Sequence, residues 1–106
     1  MEYISNAFSL SMLAAGAASI DVTPSSATDV AAALGRGATS CVGHSDVAAM
    51  YSELLGTEIE MRRVSVNLSL GDILYVGQYV GPRLPQGTTV LPPGAIIKWC
   101  RVSLTG

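Results

Sequence analysis

The chain carries little charge, few aromatic side chains and one histidine. Only 13% of its 106 residues are charged, and six lysines and arginines stand against eight carboxylates. This balance excludes a strongly basic binder of duplex nucleic acid, because such binding is driven by the release of counterions from the phosphates. A small nucleotide ligand remains compatible with it.

Metal ligands are also scarce. Cys41 and Cys100 lack the spacing of a zinc site, and a single histidine cannot complete one. The eight carboxylates form no motif typical of paired magnesium ions or of a glycosidase pair. We therefore expect two buried, reduced thiols, no metal and no cofactor. A glycine-rich phosphate loop and a nucleophile elbow are absent as well.

No uninterrupted apolar run reaches the length that spans a bilayer. The longest candidate, residues 8–20, is broken by Ser9, Ser11 and Ser19. Glu2 stands where a signal peptide carries positive charge. We expect no membrane partner and a cytoplasmic location.

What the chain does have is apolar content, which makes up 49% of its residues. A domain of this length buries roughly two thirds of its unfolded surface, so a packed core is expected and disorder is excluded. The apolar fraction is high for a small soluble monomer, which favours a homodimer. No repeat or linker divides the sequence, so residues 1–106 are expected to form one domain.

Two helices are indicated by their termini. The segment Thr23-Pro24-Ser25-Ser26 supplies hydroxyls for the start of the first helix, with Asp29 as an acidic capping partner, and Gly35 and Gly37 mark its end. The second begins at residues 43–46 and ends at Gly56. Its apolar stripe consists of Val47, Met50, Tyr51, Leu54 and Leu55.

Strand patterns surround these helices, and the small residues at 14–18 predict an irregular segment. The turn at Gly71-Asp72 predicts a hairpin between the strand before it and the strand after it. The order of the elements predicts an α/β fold, with one mixed sheet flanked by helices. The predicted strands are residues 3–5, 38–42, 59–68, 73–80 and 96–102.

His44 is the candidate catalytic residue, because imidazole is the side chain that exchanges protons near neutral pH. It follows a strand and Gly43 and begins a helix, where unpaired backbone N–H groups attract a phosphate. A bound phosphate favours the imidazolium, which can give a proton to a leaving oxygen. On spacing alone, a helix cap or a surface residue is the alternative.

Histidine, arginine and hydroxyl groups are sufficient for metal-free cleavage of an RNA phosphodiester. A 2′-hydroxyl attacks the neighbouring phosphorus, arginine and backbone N–H groups hold the developing charge, and an acid protonates the 5′-oxygen. Arg62, Arg63 and Arg83 are the candidate anion holders. Arg62 and Arg63 are adjacent in a predicted strand and point to opposite faces, so at most one faces a site, and a solvated charge is the alternative.

Several short motifs follow one another along the chain: Tyr3–Leu13, Gly43-His44, Ser52–Gly56, Arg63-Val64, Gly71-Asp72, Gln78 and Arg83–Gly87. In these motifs and their order, from Tyr3 to about Leu91, the chain resembles the viral ring nucleases, a family of type III anti-CRISPR proteins. The resemblance implies a mixed sheet with helices and a homodimer that cleaves cyclic tetra-adenylate without metal. It also implies a site at the two-fold interface, which suits a two-fold symmetric ring.

The resemblance also implies the products and the roles of individual residues. The products are linear di-adenylates ending in a 2′,3′-cyclic phosphate, and loss of the messenger ends the type III CRISPR response. His44 is the general acid, Arg83 stabilises the phosphorane, and Arg63 and Ser45 hold phosphate. The remaining residues that the resemblance places in the pocket are Asn6, Ser9, Ser11 and Gln78. For Asn6, Ser9 and Ser11, ordinary turn and capping chemistry is the alternative.

Gln86 stands where many members of that family carry a glutamate that assists the chemistry. An amide can hydrogen-bond the ligand, but it cannot act as an acid or a base. By its position in the motif, Gln86 is predicted to be one of the catalytic residues, and the loss of the carboxylate there predicts slower turnover. The alternative function is a sponge or sensor that binds the cyclic nucleotide with little turnover, and a third is a structural α/β dimer without a ligand.

Overall fold

The computed structural model describes residues 1–13, 19–64 and 66–105. Within them lie five strands, two α-helices and one 3₁₀ turn at Leu10–Met12. The helices are α1 (Ala27–Gly35) and α2 (Ser45–Leu55). The strands are β1 (Glu2–Ser5), β2 (Ser19–Pro24), β3 (Thr39–Ser40), β4 (Ile73–Val80) and β5 (Ile96–Thr105).

The five strands form one sheet in the order β2-β5-β4-β1-β3. β1 runs parallel to both β3 and β4, whereas β5 runs antiparallel to β4 and to β2. The sheet is therefore mixed, which confirms the predicted α/β class. Because β1, β3 and β4 are parallel, their carboxyl ends meet at one edge of the sheet.

Both helices have the predicted ends. At the start of α1, the Ser26 hydroxyl accepts a hydrogen bond from the Asp29 amide at 3.1 Å, and the Ser25 hydroxyl donates to the Asp29 carboxylate at 3.2 Å. The first of these bonds satisfies an N–H group that an α-helix leaves unpaired, and the second joins two side chains at the same end of the helix. α2 ends at Gly56, whose φ of 66° lies in the left-handed region that favours glycine.

The predicted strand at residues 59–68 is wrong. In the described residues, this segment makes only isolated parallel bridges, from Met61 to Val42 and from Leu68 to Leu13. The predicted hairpin fails because β5 and β1 occupy both edges of β4, so neither edge is left for a preceding strand. The alternating pattern instead reflects the burial of Ile59 and Leu68 in the two cores.

Strand β2 has no recognisable signal in the sequence. Five of its six residues are exposed, so the alternation of buried and exposed positions that marks a half-buried strand is missing. Thr23 and Pro24, which the sequence predicts to precede the first helix as a capping segment, end this edge strand. The irregular segment predicted at residues 14–18 lies outside the described residues.

Hydrophobic cores cover both faces of the sheet. On the helix side, the aromatic rings of Tyr51 and Trp99 pack with centroids 4.9 Å apart, beside Ile4 and Val30. On the second face, which lies opposite the helices, the core is built around fully buried Leu68 and Leu74, Val102 and other apolar side chains. Neither cysteine is in a disulfide, as predicted, and Cys100 is only partly buried whereas Cys41 is buried.

Two ion pairs lie at the start of the first strand. Arg36, directly after α1, donates two hydrogen bonds to the Glu2 carboxylate at 2.9 and 2.7 Å, and the Tyr75 hydroxyl donates a third at 3.3 Å. The Arg36 bonds hold the pKa of Glu2 below its usual value against the opposing effect of partial burial. The Met1 amino group contacts the Asp72 carboxylate at 2.9 Å.

Candidate functional site

The candidate site lies at the edge where the parallel strands end. β1 pairs with β4 up to Ser5 and Val76, and β4 then continues for four residues beyond the end of β1. Asn6 follows β1 at this edge, and His44 precedes α2. Ligands bind preferentially at the carboxyl ends of parallel strands, because the loops there leave a crevice.

His44 occupies the N-cap position of α2, but its side chain makes no capping hydrogen bond. The residue is exposed, so its imidazole is free to meet a ligand. Its backbone carbonyl accepts the first helical bond from Ala48 at 3.0 Å. The start of an 11-residue helix therefore places unpaired N–H groups and the positive end of the helix dipole beside this imidazole.

The segment after α2 is held beside the start of the helix by a series of hydrogen bonds. The Ile59 amide donates to the Ser52 hydroxyl at 2.8 Å, and that hydroxyl donates to the Ala48 carbonyl at 2.8 Å. The Arg62 amide donates to the Val42 carbonyl, also at 2.8 Å. These contacts bring residue 63 close to residue 44, although no strand contains it.

An open cleft of about 540 Å³ lies between these elements. Its lining includes His44, Ser45, Arg63 and Gln86, four of the residues predicted for the site. Arg63 supplies positive charge, while the carboxylate of Asp46 on the same cleft supplies negative charge. A phosphate is therefore favoured on the Arg63 side of the cleft, near the imidazole and the start of α2.

A second hollow of about 220 Å³ adjoins this cleft, and we refer to it as the inner pocket. Asn6, Asp46 and Gln86 supply its polar groups, and Asp46 and Gln86 line the cleft as well. The structure thus places Asn6 beside the cleft rather than in it. Its apolar wall includes Val47, Met50, Tyr51, Tyr79, Leu84, Pro85 and Ile97.

The segment at residues 82–88 forms one wall of both hollows. The Tyr79 hydroxyl donates to the Pro82 carbonyl, and the Thr88 hydroxyl donates to the Pro85 carbonyl at 2.7 Å. These bonds hold the segment against the end of β4. Arg83 belongs to this segment and is exposed, but it lines neither the cleft nor the inner pocket.

Gln78, Ser9 and Ser11 lie apart from the cleft. Gly77 faces the helices, where an added Cβ would meet Tyr51, so the alternation along β4 places the neighbouring Gln78 side chain on the second face. Ser9 caps the 3₁₀ turn by accepting from the Ser11 amide at 3.2 Å, and the two hydroxyls are 2.6 Å apart. Turn and capping chemistry is therefore what these two serines perform within one chain.

Sequence reasoning missed Asp46, Tyr51 and Gly77 as residues of the site. Tyr51 is buried, and its hydroxyl donates to the Gly77 carbonyl at 2.7 Å. Burial raises the pKa of this phenol, so it stays a hydrogen-bond donor. The helical stripe identified Tyr51 only as a core residue, and nothing in the sequence marked Gly77. The proximity of Asp46 to His44 was the one available signal.

Within the described part of the chain, no group of three or more histidine, cysteine or carboxylate side chains is arranged to hold a metal ion. No described helix has the length and apolar character needed to cross a membrane.

Known proteins share this architecture. The sequence model of the STIV B116-like family matches residues 2–96. The chain belongs to the STIV B116-like family. Nine chains of solved structures match it, among them B116 of Sulfolobus turreted icosahedral virus (STIV), with a TM-score of 0.79 and 23% sequence identity. That alignment covers 96% of this chain and 97% of B116, whereas no curated protein matches.

The B116-like fold extends over nearly the whole chain, which confirms the predicted α/β architecture. Family membership also supports the resemblance to a family of viral proteins. The ring-nuclease activity that the resemblance implies stays a prediction, as do the roles of the site residues.

Proposed function

We propose that this protein is a metal-independent ring nuclease that cleaves cyclic tetra-adenylate and thereby inhibits type III CRISPR immunity. The observation that carries the proposal is the open cleft at the start of α2, which the exposed His44 lines together with Arg63 and Ser45. An imidazole, a guanidinium and unpaired N–H groups are the groups that a metal-free phosphodiester cleavage needs. The cleft lies at a helix start, which suits an anionic ligand.

In the proposed reaction, the 2′-oxygen of one ribose bonds to the adjacent phosphorus and its proton passes to solvent. Arg63, Ser45 and the first N–H groups of α2 hold the phosphate oxygens as their charge increases. The His44 imidazolium donates its proton to the 5′-oxygen when the bond from phosphorus to that oxygen breaks. Two such cleavages per ring give two linear di-adenylates, each ending in a 2′,3′-cyclic phosphate.

We propose that a second copy of the chain completes the site. Gln78 lies on the second face of the sheet, away from the cleft, so one chain does not bring all the predicted ligand residues together. The second face also exposes Val22, Val80 and Ile96 at 46–60% of their surface. Val80 and Ile96 are a cross-strand pair and form an exposed apolar patch of the kind that an interface covers, whereas Val22 lies farther along the same face. A two-fold dimer would present one His44 to each of two opposite phosphodiesters.

Replacement of His44 by alanine tests the proposal. We expect cleavage of cyclic tetra-adenylate in EDTA to fall roughly 100- to 10,000-fold, because the leaving oxygen loses its acid. Binding, measured by calorimetry, is expected to persist, since Arg63 and the helix start remain. The exposed side chain makes no cap bond, so the variant should unfold at the wild-type temperature. Full activity in the variant would exclude His44 as the acid.

Sequestration of the ring without turnover is the second candidate, and Gln86 is the observation that favours it. This side chain lines both the cleft and the inner pocket, yet its amide transfers no proton. Gln86→Glu introduces a carboxylate of nearly the same shape. A large rise in turnover would indicate an enzyme weakened at this position, whereas unchanged turnover would make Gln86 a ligand contact only.

A further inference from the structure

The inner pocket has the composition of a nucleobase site. Its wall is largely apolar and includes the half-buried ring of Tyr79, with the buried Tyr51 packed behind it. Its volume of about 220 Å³ is smaller than the roughly 300–1,000 Å³ of pockets that hold drug-sized ligands. Unstacked bases in proteins are held against aromatic or apolar side chains and are recognised through hydrogen bonds to their edges. The polar groups that could provide such bonds here are the amides of Asn6 and Gln86 and the carboxylate of Asp46.

Its position beside the cleft connects the inner pocket to the proposed reaction. Asp46 and Gln86 line both hollows, so the two are adjacent and meet at these side chains. A nucleotide whose phosphate lies beside His44 and Arg63 can therefore extend its base into the inner pocket. β4 builds this space by running past the end of β1, and Gly77 in its lining allows the Tyr51 ring to pack closely on the strand.

Among the described residues, Asp46 is the one carboxylate that lines either hollow. One of its oxygens accepts a hydrogen bond from the Val47 amide at 2.9 Å, and an ionised carboxylate can accept several more. An acceptor at this point favours a base that presents an amino group and disfavours one that presents a carbonyl. Adenine has an amino group at its 6-position, whereas hypoxanthine and guanine carry an oxygen there.

We infer that the inner pocket receives an adenine base of the ring and that the Asp46 carboxylate accepts a hydrogen bond from its 6-amino group. The inference rests on the proposed function for the identity of the ring. Asn6 and Gln86 are able to hydrogen-bond a ring nitrogen of the same base, since a side-chain amide both donates and accepts. Asp46 is thus the residue that selects adenine, while His44 and Arg63 act on the phosphate.

The test compares cyclic tetra-adenylate with cyclic tetra-inosinate, which replaces each 6-amino group with an oxygen. Binding to the whole protein in EDTA is followed by calorimetry and by the fluorescence of Trp99, the single tryptophan, whose ring packs on Tyr51. We expect wild type to prefer the adenylate ring by about tenfold or more. In Asp46→Asn the preference should fall to near one, because an amide can also donate to the 6-oxygen.

Asp21→Asn is the matched control, since Asp21 is an exposed carboxylate on edge strand β2 and lines neither hollow. It should keep the wild-type preference. If wild type binds both rings equally, or if Asp46→Asn keeps the wild-type ratio, the inference is wrong while the ring-nuclease proposal stands.

Adenosine and inosine, titrated under the same conditions, separate the two proposals. If wild type binds neither ring but prefers adenosine to inosine, and Asp46→Asn loses this preference, the proposed ring activity fails and the base site stands. If no ring and no nucleoside binds, both are overturned.

Discussion

Gly77→Ala adds a single methyl group where the structure leaves no room for it. A Cβ at this position would lie 2.5 Å from the Tyr51 hydroxyl oxygen and 2.7 Å from Cζ3 of Trp99. Real Cβ atoms do not approach other heavy atoms this closely, so one of the two rings must move. Both rings are buried, at 1% and 7% exposure, and they pack against each other.

The expected cost has two parts. Forcing an extra methyl group into a packed core costs about 1–3 kcal/mol. Moving Tyr51 also breaks its hydrogen bond to the Gly77 carbonyl, which contributes about 1 kcal/mol. Together we expect a loss of about 2–4 kcal/mol, which lowers the melting temperature of a domain of this size by roughly 10–25 °C.

Urea and thermal unfolding followed through Trp99 fluorescence measure this loss. Gly35→Ala is the matched control, because Gly35 ends α1 and an added Cβ there meets nothing within 4 Å. This control should leave stability unchanged or raise it by about 0.4–1 kcal/mol. If Gly77→Ala is as stable as the wild type, the described packing of Tyr51 and Trp99 over β4 is wrong. The lining that Tyr51 and Gly77 give the inner pocket would then be wrong as well.

Two further predictions concern stability. Arg36 lowers the pKa of Glu2 in the folded state, so the contribution of this ion pair is complete above the ordinary value of 4.5 and is lost as the pH falls through the lowered value. Urea unfolding across this pH range should therefore show a weaker pH dependence for Glu2→Gln than for wild type, and identical dependence would contradict the pair. Ser26→Ala removes the cap of α1 and should cost about 0.5–2 kcal/mol in thermal unfolding. Ala32→Gly, an exposed change inside the same helix, calibrates that loss at about 1 kcal/mol.

The fold could be predicted where local chemistry marks an element. Ser26 with Asp29 and the left-handed Gly56 mark the ends of the helices, because capping involves residues close together in sequence. The pairing partner of β4 could not be predicted in the same way. It depends on which strands occupy its two edges, which is a property of the whole sheet. An exposed edge strand such as β2 lacks even the alternation that burial imposes.

The candidate site was predictable in part for the same reason. His44 and Ser45 are neighbours at a helix start, so their proximity follows from the sequence. Arg63 lies beside them because its segment contacts Val42. It was predicted to lie in a strand, which is wrong, but it lines the cleft together with other residues of the predicted site. Gln78 is separated from the cleft by the direction of its side chain, and only the proposed dimer would bring it close to a cleft.

Multiple-turnover cleavage in EDTA tests the central claim most directly. Purified protein is mixed with an excess of cyclic tetra-adenylate, and the products are separated by chromatography. The account predicts complete conversion to linear di-adenylates with 2′,3′-cyclic phosphates by the wild type and almost none by His44→Ala. Recovery of the intact ring from the wild type would contradict the account, and a ring that is bound but uncut would make sequestration the function.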